Sequence, residues 1–223
     1  MKKMIWIWIG LVLLAACSSE GNAENEAAAE TDVQAEQTEV EKTESKEGGP
    51  FIESPQAPDD SRLTEIGESL RDQDGEIKLL GYAPEAKSLE AGPFEMSIEE
   101  VKYMNYQPSP DMIDFFHGFS HDETNFNYVK VRVVIENTSD ETLNFAPVNK
   151  LEANSGETKG FADDFYMEEL HGDYEPGEKR YGQLGFIFDE TEPEELSEVM
   201  IETSDVFKDG EAVNEGDSVT VSF

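Results

Sequence analysis

Tyr128-Val129-Lys130-Val131-Arg132-Val133-Val134-Ile135-Glu136-Asn137 is the stretch whose pattern decides the fold. Positions 129, 131, 133 and 135 are all β-branched and apolar, and they alternate with Tyr128, Lys130, Arg132 and Val134. A period of two puts every second side chain on one face, so this is a strand with one almost wholly apolar face. Asn137-Thr138-Ser139-Asp140-Glu141 reads as a turn, after which Leu143 and Phe145 resume the alternation. Upstream, Phe94, Met96 and Ile98 alternate, then Val101 and Tyr103, with a slip at Glu99-Glu100 that predicts a strand with a bulge. Ile77 to Tyr82 is a short apolar run bounded by Asp74-Gly75 and Pro84. Downstream, Pro176-Gly177 suits a type II turn leading into a strand over Tyr181 to Phe188. Val199 to Thr203, Ala212-Val213 and Val219 to Phe223 complete the set, with a turn at Lys208-Asp209-Gly210-Glu211. Seven or more short strands, spaced by turns every 8–12 residues or so, predict an all-β protein built as an antiparallel sandwich.

Charge narrows the function. The 223 residues hold 51 acidic and 16 basic side chains, a net −35, and 37% are hydrophobic. Such a surface repels phosphate backbones and anionic membranes, which argues against a nucleic-acid partner and against membrane docking through basic residues. The acidity is spread along the chain. Ser18 to Gly92 carries 20 acidic and 6 basic residues, and Pro93 to Phe223 carries 31 and 8. Self-repulsion on that scale costs stability but keeps a protein soluble, as suits an extracellular protein in salty or alkaline surroundings.

The first residues address the chain. Lys2-Lys3 precede an apolar run from Met4 to Leu14, about eleven residues, too short for a bilayer core that needs about twenty. Residues 1–16 therefore read as a signal peptide. Its end, Leu14-Ala15-Ala16-Cys17, resembles the lipobox of bacterial lipoproteins, and Cys17 is the only cysteine. The resemblance implies cleavage before Cys17, diacylglycerol on its thiol, and a lipid anchor on the extracellular face of the cell membrane. With no second cysteine, the fold has no internal disulfide and rests on hydrophobic burial.

Residues 17–60 are rich in Glu, Ala, Thr, Ser, Gln and Gly, with Val33, Val40, Phe51 and Ile52 the only strongly apolar side chains. So few apolar groups do not offset chain entropy, which predicts a disordered acidic linker. As a flexible coil of about 43 residues it reaches roughly 35–40 Å, lifting a folded module off the membrane. Residues 61–92 then form a short lead-in with one strand, ahead of a sandwich over 93–223.

The order of signals in that last segment resembles a family. Val129 to Asn137 followed by Thr138-Ser139-Asp140, then Asn154-Ser155-Gly156, then Glu175-Pro176-Gly177-Glu178 leading into Gly185-Phe186-Ile187-Phe188, is similar to the telokin-like, immunoglobulin-like extracellular domains of Gram-positive lipoproteins. That resemblance covers about Phe94 to Phe223. It implies an immunoglobulin-like β-sandwich outside the membrane and brings no catalytic residue with it. The chain departs from the family by a long insert, Asn105 to Asn127, and by the Leu63 to Tyr82 segment.

Candidate chemistry is thin. His117 and His121 at i, i+4, with Asp114 and Asp122 near, have zinc-ligand spacing, but Gly118, Pro108 and Pro110 oppose a regular helix, so no metal site is assigned. Ser120-His121-Asp122 fails as a triad because adjacent residues of an extended chain point to opposite faces. No nucleophile elbow, phosphate loop or dinucleotide fingerprint occurs, so neither an enzyme nor a cofactor is expected. Asp72-Gln73-Asp74-Gly75 fits part of an EF-hand, yet Leu70 and Gly81 fall where oxygen ligands belong. Weak calcium binding at a looser site, around Asp163-Asp164 or Asp189-Glu190, is one alternative, and an envelope hydrolase using His121 or Asp122 is a more remote one. The favoured reading is a non-enzymatic module that binds a protein or envelope component through Phe115, Phe116, Phe119 and Phe126, with Phe161, Phe165 and Tyr166 in a second loop. The competing reading has these rings plugging the ends of the sandwich.

Overall fold

The computed structural model describes residues 51–84 and 87–223. Residues 1–50, on which the signal-peptide and Cys17 lipid-anchor expectations and most of the linker expectation fall, lie outside them. The decisive stretch is a strand, β5 (Phe126–Asn137). It pairs antiparallel with β4 (Phe94–Pro108), from Phe94 against Asn137 to Tyr106 against Phe126. On its other side runs β10 (Lys179–Ile187), also antiparallel. The bulge expected at Glu99-Glu100 is present as a register shift between Ile98 and Glu100. It divides the outer edge of β4. Before it, β3 (Lys87–Ala91) pairs with Phe94 to Ile98, and after it β2 (Gly75–Ala83) pairs with Val101 to Pro108. β1 (Ser69–Arg71) closes this six-stranded sheet. The lead-in thus supplies three strands rather than the one expected, and all belong to the main sheet.

Two four-stranded antiparallel sheets complete the fold. One orders β14 (Ser218–Ser222), β11 (Glu198–Glu202), β7 (Lys150–Ala153) and β8 (Thr158–Gly160). The other orders β13 (Glu211–Asn214), β12 (Val206–Lys208), β6 (Leu143–Phe145) and β9 (Gly172–Tyr174). Among the described residues, helix is confined to α1 (Ile113–Phe116) and a 3-10 turn at Phe161–Asp163. The protein is all-β and antiparallel.

Two cores sandwich the six-stranded sheet. Val129, Val131, Val133 and Ile135 form one core with Val101, Tyr103, Leu184 and Phe186, joined by Leu151, Val199, Ile201 and Val221 from one small sheet and Phe145, Tyr174 and Val206 from the other. Phe94 stacks on Phe145 at 4.2 Å and meets the edge of Tyr174 at 5.2 Å. Each such side chain, fully buried, contributes about 1.5–3 kcal/mol. The opposite face is also covered. Ile77, Leu79, Met104, Tyr106, Phe126, Tyr128 and Ile187 are buried there beneath Ala57, Leu63, Phe116, Phe165 and Tyr166.

The covering residues correct one expectation. Within the stretch read as linker, Phe51 to Asp60 lies against the sheet, with Ala57 3% exposed and Asp60 5%. Its apolar content is low, as noted, but a charge does the anchoring.

Candidate functional site

The insert after β4 folds onto the second core. Phe116 is fully buried, edge-on to Tyr106 at 5.5 Å and to Phe165 at 5.4 Å, and Phe126 lies 4.7 Å from it. Phe115 and Phe119 are half-buried and stack on each other at 5.4 Å. The expectation that these four rings form a docking surface is therefore corrected for Phe116 and Phe126. Both are core, because α1 turns its one buried ring inward and Phe126 begins a central strand.

The histidines do not converge. His117 Nδ1 meets Glu123 Oε1 at 2.7 Å, whereas His121 Nδ1 lies 3.3 Å from Asp189 Oδ2, and both rings are exposed. Asp189 is the local organiser. It accepts from the Ser120 hydroxyl at 3.1 Å and from the His121 backbone N–H at 2.9 Å. Serine and histidine thus share one carboxylate without bonding to each other as nucleophile and base would. A shallow groove of about 200 Å³ beside them is lined by His121, Asp122, Asn125, Asp189, Thr191 and Glu192. Among the described residues, no group of three or more His, Cys, Asp or Glu side chains is placed to hold a metal ion.

The second aromatic loop is built differently. Residues 161–171 run along the free edge of β10 and satisfy it with carboxylates. Asp164 Oδ1 accepts from Gly185 N at 2.7 Å, Glu168 Oε2 accepts from Gln183 N at 2.9 Å, and Phe165 N donates to Gly185 O at 3.0 Å. An edge strand covered in this way is closed to stray pairing. Burial pushes the Asp164 carboxyl up to about 6, against the pull of its backbone N–H bonds, and raises Glu168 as well. The approach requires glycine on β10: a Cβ at residue 185 would run into the Tyr166 ring, and one at residue 182 would lie 2.6 Å from Glu168 Oε2. Phe165 and Tyr166 point inward as core. Phe161 and Met167 do not, being 47% and 50% exposed, and His171 lies 5.3 Å from the Phe161 ring. Met167 and Glu169 both hold φ near 53°, a left-handed backbone costly for residues with side chains. Asp163, half of one suggested calcium site, accepts instead from Gly160 N at 2.7 Å.

A third cluster had no counterpart in the sequence reading. Lys102 and Lys130 stand directly opposite each other on β4 and β5, at 0% and 1% exposure. Like charges so paired repel unless an anion lies between them. Asp60 is that anion. Its Oδ2 lies 2.9 Å from Lys102 Nζ, and its Oδ1 lies 2.6 Å from Lys130 Nζ. Gln183 Oε1 accepts from Lys130 at 3.1 Å. Glu100 Oε1 makes no hydrogen bond but sits 3.3 Å from Lys130 and 3.6 Å from both Lys102 and Arg132. Burial acts to raise the Asp60 carboxyl, and the Lys130 and Lys102 ammoniums overcome it, holding the group below the usual carboxylate range. Two lysines in the middle of the two longest strands were the available signal.

An antiparallel all-β protein with a twice-covered central sheet, its sites on loops and straps at that sheet's margins, is the class so defined. No family model matches the chain. It is 34% identical over 223 residues to the uncharacterized protein YdhF of Bacillus subtilis (strain 168), with 93% of each chain covered. The chain belongs to the YdhF family. Among solved structures, a functionally unknown protein from Listeria monocytogenes EGD-e is similar with a TM-score of 0.48 at 15% identity, over 67% of this chain and 87% of that one.

Proposed function

We propose that the protein is a non-enzymatic binding module, lipid-anchored through Cys17 on the extracellular face of the membrane, whose immunoglobulin-like sandwich presents the loop 161–171 to a protein or envelope component. The observation that carries this reading is the pairing of two half-exposed apolar side chains, Phe161 and Met167, with a rigid loop. Exposed aromatics and methionines are characteristic of partner-binding surfaces, and here little ordering entropy remains to be lost on binding. The loop is held by two carboxylates on a sheet edge, a ring pair in the core, and a backbone fixed at two left-handed residues.

The test immobilises the full-length protein and exposes it to detergent-solubilised envelope from the producing bacterium. A component retained by the wild type and lost from the Phe161→Ser, Met167→Ser double variant, with unfolding temperatures unchanged, supports the reading. Equal retention by both proteins, or none by the wild type, overturns it. Both positions are surface-facing, so their substitution shifts stability by less than about 0.5 kcal/mol each.

A further inference from the structure

Phe51 to Leu63 crosses the second face of the six-stranded sheet as a strap rather than a strand. Among the described residues, every hydrogen bond from it to the sheet uses a side chain of the sheet. Gln183 Nε2 donates to Ile52 O at 3.0 Å, the Tyr106 hydroxyl to Gln56 O at 3.2 Å, and Lys102 Nζ to Asp60 O at 2.7 Å. The Arg132 guanidinium caps the strap's first ring, 4.6 Å above Phe51. Ala57 and Leu63 add modest apolar contact. A segment held by side chains alone, with no ladder bonds, belongs to the low-stability end of a fold.

What the strap covers is unusual for this chain. Eight basic residues lie between Pro93 and Phe223, and three of them, Lys102, Lys130 and Arg132, are gathered on this one patch of an otherwise acidic protein. Two ammonium groups converge on a single carboxylate, Asp60, in a setting with little water to compete, and the Gln183 amide oxygen steadies one of them by accepting from Lys130. We propose that Lys102 and Lys130 form a carboxylate-binding site that Asp60 fills as a tethered ligand, and that release of the strap Phe51–Leu63 opens the site to a carboxylate of another molecule. The resident group is the template for the ligand: one carboxylate taking both ammonium groups, at a turn that Leu63 N closes on Asp60 O at 2.9 Å. This site uses neither Phe161 nor Met167, although Gln183 touches both it and the 161–171 loop, so its failure and that of the binding loop are read from different substitutions.

The experiment has two arms on the full-length protein. In the first, lysines of the wild type are acylated by an amine-reactive reagent at increasing urea below the unfolding transition, and Lys102 and Lys130 are followed by mass spectrometry. Strap release without unfolding gives labelling of both lysines at a rate nearly independent of urea. Labelling that rises with urea in step with global unfolding overturns the proposal. In the second arm, Asp60→Gly removes the tethered carboxylate and acetate is titrated against chloride at equal ionic strength. Acetate is expected to raise the variant's unfolding temperature by several degrees more than chloride and to raise that of the wild type no more than chloride does. Equal effects of the two anions on the variant overturn the carboxylate site. Should that variant not fold, the labelling arm decides alone.

Discussion

Asp60 shows how much one side chain decides here. Its removal leaves two ammonium groups buried and facing each other, and breaking a buried ion pair from one side costs about 3–5 kcal/mol. Asp60→Asn is therefore expected to unfold in chemical denaturant with at least that loss. The groups facing Asp60 are Lys102 and Lys130 directly, with Glu100, Arg132, Gln183 and Tyr82 behind them. Because the native carboxyl lies below its ordinary value near 3.8, its contribution is complete above that pH and is lost as pH falls through the lower native value. Asp164 works in the other direction. Raised to about 6, it binds a proton more readily in the folded state, so its effect on stability falls as pH rises from about 4 to 6 and is then constant. Denaturant titrations across pH 3 to 7 are expected to flatten between 4 and 6 in Asp164→Asn relative to the wild type. An unchanged profile would contradict the burial of that carboxylate.

At the scale of elements, the meeting of the 161–171 loop with β10 depends on Gly185. Gly185→Ala places a methyl group in the Tyr166 ring and is expected to cost several kcal/mol, whereas Gly156→Ala on an open turn costs only its left-handed backbone. Phe116→Ala empties a fully buried ring site and should cost about 3–5 kcal/mol, against near neutrality at Phe161. Thermal unfolding of the four variants ranks them directly. The alternation through β5 and the slip in β4 were legible in the sequence because the core face there is β-branched and unbroken. The strap was not legible. Composition counts apolar residues, and Phe51 to Asp60 is held by polar contacts, chief among them one buried charge whose partners lie 42 and 70 residues away. The aromatic insert was half legible: sequence marks clustered rings but does not tell which way the chain turns them, and Phe116 and Phe126 went inward while Phe115 and Phe119 stayed half-buried.

For the molecule as a whole, a net charge of −35 on 223 residues makes self-repulsion a constant opponent of folding. Raising NaCl from about 0.1 M to 1 M shortens the screening length from about 10 to 3 Å. The unfolding temperature is expected to rise by several degrees, with calcium at matched ionic strength adding nothing further. A calcium-specific rise would mark a bound ion, since a ligand at 100 times its dissociation constant adds about 2.7 kcal/mol. The carboxylates around Asp163 and Asp189 are already engaged by backbone N–H groups, which is why screening alone is expected. The functional reading rests on the module standing outside the cell on a lipid anchor, and the intact mass of the full-length chain, expressed in a Gram-positive bacterium and extracted from its membranes, tests that most directly. The expected species begins at Cys17, has lost residues 1–16, and carries the added mass of a diacylglyceryl group on its only cysteine. A water-soluble product cleaved elsewhere, or an unprocessed chain bearing no lipid, would contradict the account.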